Sequence, residues 1–329
     1  MRWPVRYLLV TAVAQMTGEP GAPARFSHEA LLYTDTDTFL AGVLPFLREG
    51  LRGDEDIYVV VDEHTIEVLR RELGPAADRV VFDDMAQVGA NPARIIPAWK
   101  EFVEHRRPGA PIRGIGEPIW ASRTPAELVE CQRHEALLNI AFETTEEFRL
   151  LCPYDAATLD AAVLAEAHNT HPIIVAADAA HSSPTFGTSR LAARRFEDPL
   201  LEPADAPHVL AFTGTQIQAV RAFARSVAAG YGLAAERTTD LVLSVNEIAT
   251  NSIRHGGGVG VLRMWASNGS LISEVADSGV IDEPLLGRVR PKLDQEGGHG
   301  VWLATQLCDL IQIRTYDTGS VVRLHMFLQ

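Results

Sequence analysis

The sequence predicts two successive folds: an α/β domain with a mostly parallel sheet, then an α+β domain whose strands pair in hairpins. Three observations carry this. In the first half, short apolar runs alternate with helical stretches, and IYVVV at 57–61 is continuously apolar and β-branched, as a strand buried on both faces requires. In the last third, strands come in pairs across the tight turns Asn268-Gly269 and Asp317-Thr318-Gly319. At 329 residues the chain is also long for a single hydrophobic core.

The elements follow in order. The apolar run 7–14, behind Arg2 and Arg6, has the look of a signal peptide but is too short to span a bilayer. Residues 1–25 are expected to be a poorly structured extension, Gly/Pro-rich at 18–23, with Met16 a candidate start. A strand at 28–33 leads to a helix through Leu51, for which Asp35 and Asp37 offer N-cap oxygens. Helix 64–73, strand 80–82, helix 92–105, strand 112–115, helix 125–144 and strand 148–152 complete the alternation. Residues 176–195 and 200–207 are small and polar with no apolar period, and read as linker. The second domain opens with strand 209–212 and a helix to about Ala229, capped by Thr213 or Thr215. It continues with helix 236–255, strands 259–266 and 271–276, a short helix 298–308 and the final hairpin 310–316/320–327.

Composition narrows the function. A net charge of -14 argues against nucleic acid or an anionic membrane as the main partner. The three cysteines, Cys131, Cys152 and Cys308, are widely spaced and give no disulfide framework or zinc pair, which fits a reducing, cytoplasmic compartment. His168 and His171 are an i, i+3 pair. With only Cys152 near them they read as ordinary polar residues at a helix end before Pro172, and a metal site is not expected there. Glu117 and Trp120, after a strand end, fit a pocket lining or loop packing equally well.

Domains of the first kind often bind nucleotide at the first strand-to-helix turn. Here that turn, 34–38, is TDTDT: it has no glycine, no lysine and two carboxylates, and it would repel a phosphate. HEALLY at 28–33, IYVVV, GEPIW at 116–120, ECQRHEALLNIAF at 130–142, CPYD at 152–155 and AHNTHP at 167–172 together resemble the MEDS sensory domain of bacterial regulators. The resemblance covers about 26–175 and implies a P-loop-type α/β fold that has lost its phosphate loop and serves in sensing or partner binding, with an undefined small-molecule signal.

The second domain carries three segments with complementary chemistry. Glu247 and Asn251 lie four apart on one helix face, with His255 a turn further on, so a carboxylate and an amide can orient a hydroxyl and ligate a hard cation. Asp277-Ser278-Gly279 ends a strand, where the carboxylate can accept from an exocyclic amine and Gly279 lets backbone lie against a flat base. Gly297-Gly298-His299-Gly300 opens a helix, presenting free N–H groups to phosphates. Their order resembles the GHKL (Bergerat-fold) ATPases, closest to the anti-sigma-factor serine-kinase branch, over about 205–329. The resemblance implies ATP and Mg2+ as cofactors. It makes Glu247 the catalytic base and Asn251 the Mg2+ ligand, with Asp277 and Gly279 in the adenine pocket. Gly298, His299 and Gly300 form its phosphate loop, and 282–296 the nucleotide lid, from which Arg288, Arg290 and Lys292 reach toward phosphate or form a solvated basic turn. Where the family's aspartate motif carries a further glycine, this chain has Ile281.

Two readings stay open from the sequence: a regulator that phosphorylates an antagonist protein on serine and binds a sigma factor, and a non-catalytic, nucleotide-dependent docking switch. In a third, the front domain is the receptor and the kinase domain is vestigial. Neither His134 nor His181 sits in a phospho-acceptor hairpin, which disfavours a conventional histidine kinase. A homodimer is usual in the resembling kinases but has no signature here.

Overall fold

The computed structural model describes residues 25–176, 179–189, 196, 198–292, 294–295 and 297–328. The extension 1–24, linker positions 177–178, 190–195 and 197, and lid positions 293 and 296 lie outside the described residues. By contact the chain divides into two units, Met1–Gly89 with Ala98–Phe196, and Ala90–Pro97 with Glu197–Gln329. Among the described residues no helix is long and apolar enough to cross a membrane.

The first unit is α/β. Its strands are β1 (Ser27–Tyr33), β2 (Asp56–Val61), β3 (Val80–Asp84), β4 (Ile112–Gly116), β5 (Phe148–Asp155), β6 (Ile173–Ala176) and β7 (Ala179–Ser182), in sheet order β3-β2-β4-β5-β1-β6-β7. All neighbours pair parallel except β6 and β7. The hairpin to β7 is a departure from the sequence reading, which placed linker there. An exposed edge strand needs no apolar alternation, so composition alone does not mark it. The helices are α1 (Thr36–Arg52), α2 (Glu63–Leu73), α3 (Met85–Val88), α4 (Ile95–Glu104), α5 (Pro125–Ala141) and α6 (Ala161–Thr170). Asp35 and Thr38 form a capping box at α1: Asp35 Oδ1 accepts the Thr38 N–H at 2.8 Å, while Thr38 Oγ1 accepts the N–H groups of Thr34 and Asp35. The turn therefore uses its own donors and presents a carboxylate, so it makes no phosphate cradle.

The second unit pairs all its strands antiparallel: β8 (His208–Thr213), β9 (Val259–Ser267), β10 (Ser270–Asp277), β11 (Leu310–Tyr316) and β12 (Gly319–Phe327), in sheet order β11-β12-β10-β9-β8. The β9–β10 turn uses Asn268 (φ 48°) and Gly269 (φ 73°), both left-handed as a tight hairpin of this type demands. Helices α7 (Ile217–Gly230), α8 (Ala235–His255) and α9 (His299–Leu307) supply the remaining core. Leu241, Val245 and Ile248 of α8 are buried with Leu262, Met264, Leu271, Val275 and Leu324 of the sheet. Alternate sheet residues carry a buried polar layer. Glu274 accepts from Arg263 and, at 2.6 Å, from Arg323; Arg263 also reaches Glu202 at 2.7 Å. Within the expected linker, the Leu200 N–H donates to Tyr316 Oη and Arg323 donates to the Leu201 carbonyl.

Helix α9 is held at its C-terminal end by side chains from Ala90–Pro97. Asn91 Nδ2 donates to the carbonyls of Thr305 and Cys308, and Arg94 donates to those of Thr305, Gln306 and Cys308. These last carbonyls have no partner within the helix and carry its negative dipole end, so a guanidinium fits there.

Candidate functional site

Helix α8 is the axis of the site. It runs 21 residues, and its apolar stripe against the sheet leaves Glu247 and Asn251 half-buried on another face. Against that face passes the first turn of α9. A Cβ built on Gly300 would stand 2.7 Å from Glu247 Oε2 and 3.5 Å from Asn251 Nδ2, so only glycine lets the α9 backbone come this close. Gly298, at φ 84°, is the N-cap of α9 and offers no side-chain cap, which leaves the first-turn amides as donors. His299 at the first helical position is exposed.

Asp277 lies at the other end of α8. Its Oδ1 accepts the Gly279 N–H at 2.8 Å, and a Cβ on Gly256 would fall 2.3 Å from its Cγ. A Cβ on Gly279 would come 2.8 Å from the His255 carbonyl oxygen. The strand end and the helix end are thus packed backbone to backbone around this carboxylate. From Glu247 to Gly256 the helix rises about 13 Å. The two ends of the candidate site are therefore separated along one rigid element, with an acceptor at one end and a carboxylate, an amide and free N–H groups at the other.

The residues singled out in sequence fall into place unevenly. Glu247, Asn251 and Gly300 are brought together, and Gly298 and His299 open the same helix. Asp277 and Gly279 stand with Gly256. Arg288 does not join them: it is 4% exposed and donates to the Pro92 carbonyl at 3.4 Å, so its head is turned into the protein. Arg290 and Lys292 are exposed. Ile281 is integrated into the fold. Its N–H donates to Ser320 Oγ, its carbonyl accepts from Thr315 Oγ1, and its side chain packs on the core.

Sequence reasoning missed the groups that hold the Asp277 loop. Ser278 donates to the Gly256 carbonyl through both its N–H and Oγ, and Ser320 Oγ donates to the Gly279 carbonyl at 2.9 Å. Gly319, at φ 137°, is required because a Cβ there would sit 1.9 Å from the Asp277 carbonyl oxygen. Gly256 lies 22 positions from Ser278, and Ser320 lies 41 from Gly279, where only the β10–β12 register shows it. The Asn91 and Arg94 contacts to α9 are equally silent in sequence.

Residues 27–172 match the family model of the MEDS domain, described as the methanogen/methylotroph DcmR sensory domain. Residues 210–326 match that of the histidine kinase-like ATPase domain. The chain thus carries a MEDS domain followed by a histidine kinase-like ATPase domain. A search of curated proteins found no match. Among solved structures, the RsbU and RsbW domains of Rv1364c from Mycobacterium tuberculosis align at 20% identity over 37% of this chain and 32% of that one. The TM-score is 0.28, too slight a likeness to carry a structural argument. The chain spans about a third of that structure.

Proposed function

We propose that the protein is a signalling regulator in which the MEDS domain, taken as 26–175, controls an ATP- and Mg2+-dependent domain at 205–329, joined by 176–204, that phosphorylates a partner protein on serine. The fold of the second part is read as a Bergerat-type sandwich, and that of the first as a P-loop-like fold without its phosphate loop. The partner classes are a sigma factor and its antagonist protein, in the cytoplasm. The observation that carries this reading is the close approach of the Gly300 backbone to Glu247 and Asn251, with Asp277 at the far end of the same helix.

The roles follow from position. Asp277 accepts from the exocyclic amine of adenine, and the loop at Gly279 lies against the ring. The N–H groups at the start of α9 receive phosphate oxygens, since among the described residues no side chain caps them and they stand at the positive end of the helix dipole. Asn251 would hold Mg2+ through its amide oxygen. The donor set suits a nucleotide and its metal because Gly300, with no Cβ, lets the start of α9 pass directly beside Glu247 and Asn251. Bound there, the metal supplies charge neutralisation of the phosphates. Glu247 accepts the proton of the incoming serine hydroxyl.

The test is titration of the full chain with ATP and Mg2+ by calorimetry, followed by a search for phosphoserine on co-purifying protein. Asp277→Ala is expected to remove nucleotide binding, and Glu247→Ala to keep binding while ending transfer. Partner phosphorylation that persists in Glu247→Ala removes the catalytic role. ATP binding without transfer in the parent protein leaves the docking switch.

A further inference from the structure

Four side chains far apart in sequence meet in the interior of the first unit: His28 on β1, Glu135 on α5, Cys152 on β5 and His171 just after α6. All four are buried, at 1%, 0%, 1% and 0% exposure. One N, O or S atom from each lies within 4.8 Å of every other. His28 Nε2 stands 3.1 Å from Glu135 Oε2 and 3.3 Å from Cys152 Sγ, and His171 Nε2 stands 3.3 Å from the same Glu135 oxygen.

The hydrogen bonds around the cluster fix which atoms carry protons. Asn139 donates through Nδ2 to the Thr170 carbonyl at 2.8 Å, so its Oδ1 faces His28 Nδ1 as an acceptor, and that nitrogen must carry the hydrogen. His171 Nδ1 lies 2.9 Å from the Ala167 carbonyl and must also be a donor. In their neutral form both imidazoles then point an Nε2 lone pair at a carboxylate oxygen. Three acceptors converge, and only the Cys152 thiol has a hydrogen to give. Neither His171 Nε2 nor Glu135 Oε1 has a hydrogen-bond partner. Left this way the cluster buries mutually repelling lone pairs.

We propose that His28, Glu135, Cys152 and His171 bind a divalent transition metal, with Zn2+ the ion the donor set fits. Two nitrogens, a carboxylate oxygen and a thiolate are borderline-soft ligands, and four of them make a closed tetrahedral site. The edges of such a tetrahedron run to about 3.3–3.6 Å from the usual Zn–N and Zn–S lengths, close to the three separations of 3.1, 3.3 and 3.3 Å. The Nδ1–H of each histidine donating to an amide or backbone carbonyl is the outer arrangement that metal-bound imidazoles use. On binding, the Cys152 S–H loses its proton to solvent as the S–Zn bond forms. The site ties β1, β5, α5 and the end of α6 together, and does not depend on nucleotide binding by the second unit.

The full chain, purified without chelator from zinc-supplemented cells, is expected to hold about one zinc per chain by elemental mass spectrometry. Grown with Co2+ instead, it should show thiolate-to-cobalt charge-transfer absorption. Cys152→Ser removes that band, and His171→Gln cuts retained metal below about a tenth. Cys131→Ser, a buried cysteine outside the cluster, keeps both. Asn139→Ala, which removes the acceptor for His28 Nδ1 together with the donor to the Thr170 carbonyl, weakens affinity about 10–100-fold. Should the variants fail to fold, the parent chain alone decides, by its metal content and cobalt spectrum. A folded parent chain with neither metal nor a cobalt–thiolate band overturns the proposal and leaves a proton-bridged cluster. Metal retained in a folded Cys152→Ser/His171→Gln double variant overturns it as well.

Discussion

The two units hold their most concentrated polar groups in opposite ways. In the first, His28, Glu135, Cys152 and His171 sit at most 1% exposed, oriented from outside by Asn139 and backbone carbonyls. In the second, Glu247, Asn251 and Asp277 are half-buried along a helix lined with glycines, and the N-terminus of α9 carries no capping side chain. A closed cluster can only serve something loaded as the chain folds. An open one can exchange a ligand at each turnover. The difference lies in what surrounds the groups, since both use the same few residue types.

That contrast can be broken most sharply at Glu247. Replacing an open-site carboxylate should cost chemistry and leave the fold alone: Glu247→Ala is expected to lower transfer to partner by about 10²–10⁴-fold, with an unchanged thermal midpoint. Loss of the midpoint instead would make Glu247 structural. A closed carboxylate in the same unit should behave in reverse. Glu274, 2% exposed between Arg263 and Arg323, leaves the buried Arg323 guanidinium without its carboxylate when removed, while Arg263 keeps Glu202. Glu274→Ala should destabilise the protein by about 3–5 kcal/mol in denaturant titration.

Smaller effects refine the picture. Gly256→Ala puts a methyl 2.3 Å from Asp277 Cγ. The carboxylate must shift, and ATP affinity should fall about 10–100-fold by calorimetry if that group binds the base, in line with a charged hydrogen bond of roughly 1.5–3 kcal/mol. The smallest effect lies in the first unit, where Glu117 is intermediate between closed and open. Burial raises its carboxyl from 4.5 to about 7, partly offset by the Tyr33 hydroxyl donating at 2.7 Å. The folded protein therefore holds a proton that the unfolded chain releases at lower pH. This contribution is complete below pH 4.5 and is lost as pH rises through about 7. Glu117→Gln should flatten that decline in melts across the window.

Local pattern reached further in the fold than in the sites. The buried strand at 57–61, the capped helix after Asp35 and the hairpin at Asn268-Gly269 are written in neighbouring residues, because dihedral preference, capping and side-chain period act over a few positions. The strand Ala179–Ser182 escaped because an edge position imposes no pattern. The three nucleotide-type motifs were legible for a related reason: each lies within one helix or turn, and glycines announce where backbone must approach something.

Alone, the sequence determined the alternation of the first domain, the hairpins of the second and the position of Glu247 and Asn251 on one helix face. It also put two carboxylates and neither glycine nor lysine in the turn at 34–38. Only the tertiary structure decided that Gly300 lies against that face, that Arg288 turns inward, and that His171 joins His28, Glu135 and Cys152 while its sequence neighbour His168 stays out of the cluster. The physical reason is range. Helix and strand periods fix which way a side chain points from its own backbone, but groups more than a hundred residues apart meet only once sheet order and helix packing place their elements side by side.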